Sequence, residues 1–310
     1  MTADSAIEPE WIAIDWGTSN VRAWGVGTSG TTVFERRSDA GMGTLEPKQY
    51  PAVLDALLGD GIPADATGID VMICGMAGAR QGWAEAPYLD TPADLRQLGS
   101  QATIPPNTDS RFAPRILAGV CQKTPGEEDV MRGEETQVLG FLDSNPGYRG
   151  VLCMPGTHSK WVRVEDFTIT GFSTVMTGEL FEALRCHTIL RHTSSAEESD
   201  EEGFLAGLDK SLERPEALTG NLFAVRAASL LAGREPAWLT GYLSGLLIGA
   251  EIAANRTQIG ESRLPLIGAP KLCGLYAMAL GRAGFESEVV DATGATLAGL
   301  ARARRHLRDG

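Results

Sequence analysis

Short stretches of alternating apolar and polar residues give way to longer stretches of helical period, and that succession occurs twice along the chain. Residues 11–16, 21–26 and 31–37 are rich in Trp, Ile, Val and Thr and are bounded by Gly, Ser and Asn, which predicts three antiparallel strands. A helix over 47–58 follows. The apolar run 70–74, ending at Gly75, predicts a further strand, and 114–120 another. Lys123-Thr124-Pro125-Gly126-Glu127-Glu128 is polar and rich in breakers, and reads as a linker. After it the pattern restarts with a helix over 134–142 and strands over 151–154, 161–165 and 167–175. Helices dominate 178–255, and a strand-helix-strand-helix run closes the pattern over 264–267, 271–282, 287–290 and 293–307.

This succession is that of an α/β protein. With 310 residues, 43% of them hydrophobic, the chain can fill the cores of two medium domains, expected over 1–126 and 127–310. Residues 193–202 are Ser-, Glu- and Asp-rich and lack apolar period, which fits either a solvated loop or a lid over a ligand. The longest apolar helix, around 239–254, carries Gly241, Ser244 and Glu251, and residues 1–10 lack a signal-peptide layout. Both features predict a cytoplasmic protein with no membrane partner.

Charge narrows the function further. A formal net charge of −13 disfavours nucleic acid and anionic membrane as partners, because both need a basic surface that displaces counterions. A phosphorylated ligand must then be held by local positive groups. The five cysteines show no CxxC spacing and read as reduced, space-filling residues.

The candidate chemistry lies in a near-repeat. Ile14-Asp15-Trp16-Gly17-Thr18-Ser19-Asn20-Val21-Arg22 and Met154-Pro155-Gly156-Thr157-His158-Ser159-Lys160-Trp161 each run from a short apolar strand into Gly-Thr, with a cation a few residues later. Small residues at such a turn let backbone N–H groups approach an anion. Two such turns, one per domain and facing each other, suit the phosphates of a nucleotide and so point to phosphoryl transfer. Thr18, Ser19 and Arg22 supply the hydroxyls and guanidinium that a phosphate needs. Gly25-Val26-Gly27-Thr28-Ser29-Gly30 matches a dinucleotide fingerprint by letters only, since 31–34 continues as a strand where that motif needs a helix. No GxxxxGK[ST] loop and no GxSxG elbow occurs.

Asp15 ends an apolar strand, a costly place for a carboxylate unless a cation offsets it. It is the candidate ligand of Mg²⁺, with capping of the Gly17 turn as the plainer alternative. Met131-Arg132-Gly133-Glu134-Glu135-Thr136-Gln137 opens a helix with two acids. The helix dipole explains one of them, and a base for a hydroxyl proton explains Glu134, with Glu135 and Glu179 as competitors. His158 could orient substrate or phosphate, and Arg132 and Lys160 could take a substrate carboxylate or phosphate oxygens. Gly268-Ala269-Pro270, between a strand and a helix, leaves bare backbone for an adenine ring.

These residues resemble a known group. The segment 12–24 is similar to the first phosphate motif of the actin, Hsp70 and sugar-kinase superfamily. Residues 131–137 and 154–161, Thr177-Gly178-Glu179-Leu180, and Leu243-Ser244-Gly245-Leu246-Leu247-Ile248-Gly249-Ala250-Glu251 narrow the resemblance to the 2-dehydro-3-deoxygalactonokinases. The resemblance implies two ribonuclease-H-like (actin-like ATPase) domains with mixed sheets and an interdomain cleft that holds ATP. It also implies ATP-dependent phosphorylation of the 6-hydroxyl of 2-dehydro-3-deoxy-D-galactonate. Related sugar kinases use an aspartate at the start of a second-domain helix as base, where this chain has Gly133-Glu134-Glu135. Kinases of the same fold acting on another sugar acid, such as the gluconate epimer, and actin-like switch ATPases are the alternatives, and self-association stays open.

Overall fold

The computed structural model describes residues 9–260 and 262–308. Residues 1–8, part of the segment read above for a signal layout, lie outside that range. In chain order the strands and helices begin with β1 (Trp11–Trp16), β2 (Val21–Val26), β3 (Thr32–Ser38), α1 (Tyr50–Leu58) and β4 (Ile69–Gly75). Next come β5 (Tyr88–Asp90), β6 (Ala93–Asp94), β7 (Phe112–Ile116), β8 (Gly119–Gln122), β9 (Asp129–Met131) and α2 (Glu134–Ser144). The middle of the chain holds β10 (Arg149–Met154), β11 (Ser159–Glu165), β12 (Thr168–Val175), α3 (Thr177–His187), α4 (Glu201–Glu213), α5 (Leu218–Ala232) and α6 (Pro236–Asn255). It finishes with β13 (Leu264–Gly268), α7 (Pro270–Arg282), β14 (Ser287–Asp291) and α8 (Ala292–Arg308).

The chain divides into two compact units, the first drawn from residues up to Tyr148, from Glu165–Thr170 and from Thr293 onward. The second is Arg149–Val164 with Gly171–Ala292. In the first, the main sheet has the order β3-β2-β1-β4-β7, antiparallel among the first three strands and parallel from β1 through β4 to β7. In the second, β12-β11-β10-β13-β14 follows the same order, again with its last strands parallel. The near-repeat in sequence is therefore a repeat of sheet topology, with each Gly-Thr turn joining the first two strands of its sheet.

In the first unit Tyr50 stacks on Trp83 and Trp16 packs tilted against Tyr50 and edge-on to Trp83, beside Ile12, Ile14, Val71 and Ile73. Trp16 Nε1 also donates to Ala40 O at 3.0 Å, which ties the chain after β3 to the end of β1. Helix α8 returns to this unit. Arg304 donates to Asp70 at 2.9 Å and to Glu10 at 3.0 Å, while a methyl group on Gly299 would lie 1.9 Å from Thr136 O in α2. In the second unit α4 and α6 cross at backbone contact. Side chains at Gly207 and Gly245 would each come within about 2.1 Å of the facing helix's carbonyl oxygen. The stretch Pro236–Gln258 is long and apolar enough to cross a membrane by length and composition, but its most apolar window is 72% buried, as befits a core helix.

Two expectations change. The single strand over 114–120 is two strands, because its first part joins β4 whereas its second joins β5 and β9. Residues 123–128 are the turn between antiparallel β8 and β9, with Gly126 at φ 84°, since turns and linkers draw on the same breaker residues. The GxGxxG match is a hairpin turn closed by Gly30 N–H to Gly27 O, as its context predicts.

Candidate active site

Both Gly-Thr turns are built alike. At the first, Gly17 N–H donates to Asn20 O at 2.8 Å, and the carbonyls of Gly17 and Thr18 are taken by the N–H groups of Met42 and Gly43. Thr18 and Ser19 stand at the exposed tip. At the second, Thr157 O accepts from Glu179 N at 3.0 Å, and a methyl group on Gly178 would sit 2.5 Å from Gly156 O. In each case a neighbouring segment approaches the turn carbonyls and leaves a Thr side chain at the exposed tip. The partner segments, Gly41-Met42-Gly43 and the start of α3, carry glycines where backbones meet. Gly178→Ala must push the second turn away, and is expected to raise the KM for ATP roughly tenfold while the protein remains folded. Steady-state kinetics at varied ATP check this, and an unchanged KM would separate the turn from nucleotide binding.

Asp15 pairs across the β1–β2 register with Arg22, whose Nη2 lies 2.6 Å from Oδ2. Arg22, read from the sequence as a phosphate ligand, is thus engaged with Asp15. The other carboxylate oxygen lies 3.9 Å from Cys74 Sγ, on the neighbouring strand. Burial first, then the charges of Asp15 and Glu135, push the Cys74 thiol well above its ordinary acidity range. Gly75, at φ 88°, continues the same strand end. A side chain there would strike Trp16 O at 2.6 Å, and Gly133 packs on its other side. This glycine pair brings the first turn of α2 to the end of β1, so Asp15 and the Glu134-Glu135 pair share one locality.

The two glutamates then diverge. Glu135 is buried, and its carboxylate accepts from Gly133 N at 2.7 Å and Thr136 Oγ1 at 3.0 Å, capping the helix start. Burial, and after it the charge of Glu134, pushes its carboxyl up to about 7. Glu134 is half-buried and accepts from Arg132 N at 3.1 Å. Both acids thus accept a backbone N–H at the helix start, Glu135 from full burial and Glu134 from a half-buried position. The Arg132 guanidinium points inward, lying over the Tyr88 ring and donating to Ala86 O at 2.8 Å.

In the second unit, His158 and Glu179 are brought into a hydrogen-bonded pair beside Thr157. Lys160, read from the sequence as a cation for a substrate carboxylate or phosphate oxygens, is only 5% exposed on β11. Gly268 lies against Pro155, where a methyl group would meet its carbonyl oxygen at 2.7 Å, and Ala269 caps α7. The Gly268-Ala269 turn and the Gly156-Thr157 turn are thus neighbours. Beside them opens a cavity of about 220 Å³ walled by Phe181, Leu247, Ile248, Leu272 and Leu275, with Gly156 at its edge. An apolar slot next to a phosphate-type turn has the shape for a nucleoside. Glu197 and Ser199, from the segment considered as a loop or lid, also line it. Sequence reading missed Phe181 and the α6 wall, whose apolar stripe looks like any core helix.

Among the described residues no group of three or more His, Cys, Asp or Glu could hold a metal ion. Asp15 alone fits a metal that keeps most of its ligands from phosphate and water, as Mg²⁺ commonly does. All five cysteines are free thiols, four buried and Cys186 exposed.

Comparison with known proteins places the chain in a family. The 2-keto-3-deoxy-galactonokinase family model matches residues 15–303. The chain is 43% identical, over 95% of its length and 96% of the relative's, to a protein of Rhizobium meliloti named as a probable 2-dehydro-3-deoxygalactonokinase. It is 35% identical, over 94% and 96% of the respective lengths, to the 2-dehydro-3-deoxygalactonokinase of Escherichia coli. The crystal structure of a candidate 2-dehydro-3-deoxygalactonokinase from Sinorhizobium meliloti superposes with a TM-score of 0.90 at 42% identity, covering 96% of this chain and 99% of that one. With its two α/β units, its paired Gly-Thr turns and this near-full-length similarity, the chain belongs to the 2-keto-3-deoxy-galactonokinase family.

Proposed function

We propose that this protein transfers the γ-phosphoryl group of ATP to the 6-hydroxyl of 2-dehydro-3-deoxy-D-galactonate, giving the 6-phosphate and ADP, as a cytoplasmic enzyme of galactonate catabolism. The observation that carries the reading is the family match from Asp15 to Ala303, which spans both turns and the Glu134 helix. In this reading Gly17, Thr18, Ser19, Gly156 and Thr157 bind phosphate oxygens, and Gly268 and Ala269 lie against the adenine. Asp15, kept in place by Arg22, would hold Mg²⁺. That ion, when bound, neutralises charge on the β- and γ-phosphates.

Glu134 accepts the proton of the 6-hydroxyl as its oxygen forms a bond to the γ-phosphorus and the bond to the β-phosphate oxygen breaks. Its half-buried position at the start of α2, near Asp15, supports that role. His158 and Glu179 orient the acceptor, and Arg132 and Lys160 supply positive charge for its carboxylate. Such a transition state is loose and asks the protein for positioning and charge more than for covalent chemistry.

A coupled ADP assay with Mg²⁺, run without acceptor, with the galactonate acid and with its gluconate epimer, tests the reading. Turnover strongly stimulated by the galactonate acid alone is expected. Preference for the epimer would retain the reaction and change the substrate. No stimulation by either would overturn the proposal.

A further inference from the structure

Glu251, in the apolar motif of α6, has no role in the reaction as described above, and its surroundings give it one. It is 3% exposed and has no cation partner among the described residues. Its carboxylate instead gathers neutral donors. Trp161 Nε1 donates to Oε1 at 2.9 Å, Tyr276 Oη to Oε2 at 2.6 Å, and the Thr177 hydroxyl also to Oε2. Tyr276 Oη in turn meets Ser159 Oγ at 2.9 Å. Burial raises the pKa of this carboxyl above its ordinary value, against the pull of those donors.

The donors come from three elements that matter to the site. Ser159 and Trp161 belong to β11, the strand that leaves the second Gly-Thr turn. Thr177 opens α3, and the next two residues are those that meet Gly156 and Thr157. Tyr276 is on α7, and both it and Thr177 line the cavity beside the turn. A buried carboxylate is a costly filler for an apolar helix. With acceptor sites on two oxygens, however, it can hold several donors arriving from different directions.

We propose that Glu251 is a positioning residue for the nucleotide, fixing the strand and the helix that flank the second Gly-Thr turn together with the cavity wall beside it. This rests on the reading that the turn and cavity hold ATP. Glutamine at 251 retains one acceptor oxygen but replaces the other with an amide that cannot accept from Thr177 or Tyr276. Glu251→Gln is expected to raise the KM for ATP roughly tenfold and to lower kcat, with a clearly smaller rise in the KM for the sugar acid. The rise in melting temperature produced by a non-hydrolysable ATP analogue should shrink in parallel.

Thr177→Val and Tyr276→Phe each remove one donor and serve where Glu251→Gln folds poorly. Each should raise the KM for ATP a few-fold, and Tyr276→Phe should add little on top of Glu251→Gln because both act through one carboxylate. A variant that melts earlier but keeps the wild-type KM for ATP, or one that shifts both KM values equally, would reduce Glu251 to scaffolding and overturn the proposal. Failure of the functional reading shows separately, in the wild-type protein, as absence of both sugar-acid turnover and stabilisation by the analogue.

Discussion

Asp15→Asn is expected to lower turnover roughly a thousandfold while the protein still folds, because on the proposed reading it removes the charge that would face the metal and phosphates yet keeps the side chain's shape. The fold should tolerate it. The Asp15–Arg22 pair is about a quarter exposed on each side, and a pair so placed contributes at most about 1 kcal/mol. Asparagine can also still accept from Arg22. Kinetics alongside circular dichroism and a thermal melt separate the two effects. Near-wild-type turnover in a folded variant would take Asp15 out of the reaction.

Glu134→Gln should cost roughly a hundred- to ten-thousandfold in kcat with little change in the KM for ATP, the signature of a lost general base. Glu135→Gln provides the contrast, since its carboxylate is buried in the helix cap and should leave kcat near wild type. Its effect lies in stability. The ordinary carboxyl value of 4.5 rises to about 7 in the folded protein, so the folded state binds more protons between those values. Stability should therefore fall as pH rises through that window and level off above it, and Glu135→Gln should flatten that part of the curve. If instead Glu135→Gln abolishes kcat and Glu134→Gln does not, the two roles exchange.

Much of the fold is legible because local pattern and tertiary role coincide. Ile12, Ile14, Val21 and Ala23 are apolar where the sheet is buried, and Gly133-Glu134-Glu135 marks the true start of a helix. The region between β4 and β7 was unread because its short strands are made by distant partners, as where β6 pairs with Thr168 and Ile169. The site divides in the same manner. Asp15, Glu134 and the two turns stand in compact motifs, whereas Arg22's partner follows from a strand register and Lys160's burial from layers on both faces of β11. Glu251 was visible as a lone acid in an apolar helix. Its donors, at 159, 161, 177 and 276, are too scattered in sequence for any spacing to reveal.

Helix α8 has a consequence for how the molecule is made. The first unit needs that helix, through Arg304 on Asp70 and Glu10 and through the close seat of Gly299 on Thr136, yet it is synthesised only after the whole of the second unit. On the ribosome the second unit can therefore complete its core while the first still waits, incomplete, for its last helix. The core begun first in translation is thus the one closed last, and the contacts of Glu10, Asp70 and Thr136 with α8 form only once that helix is made.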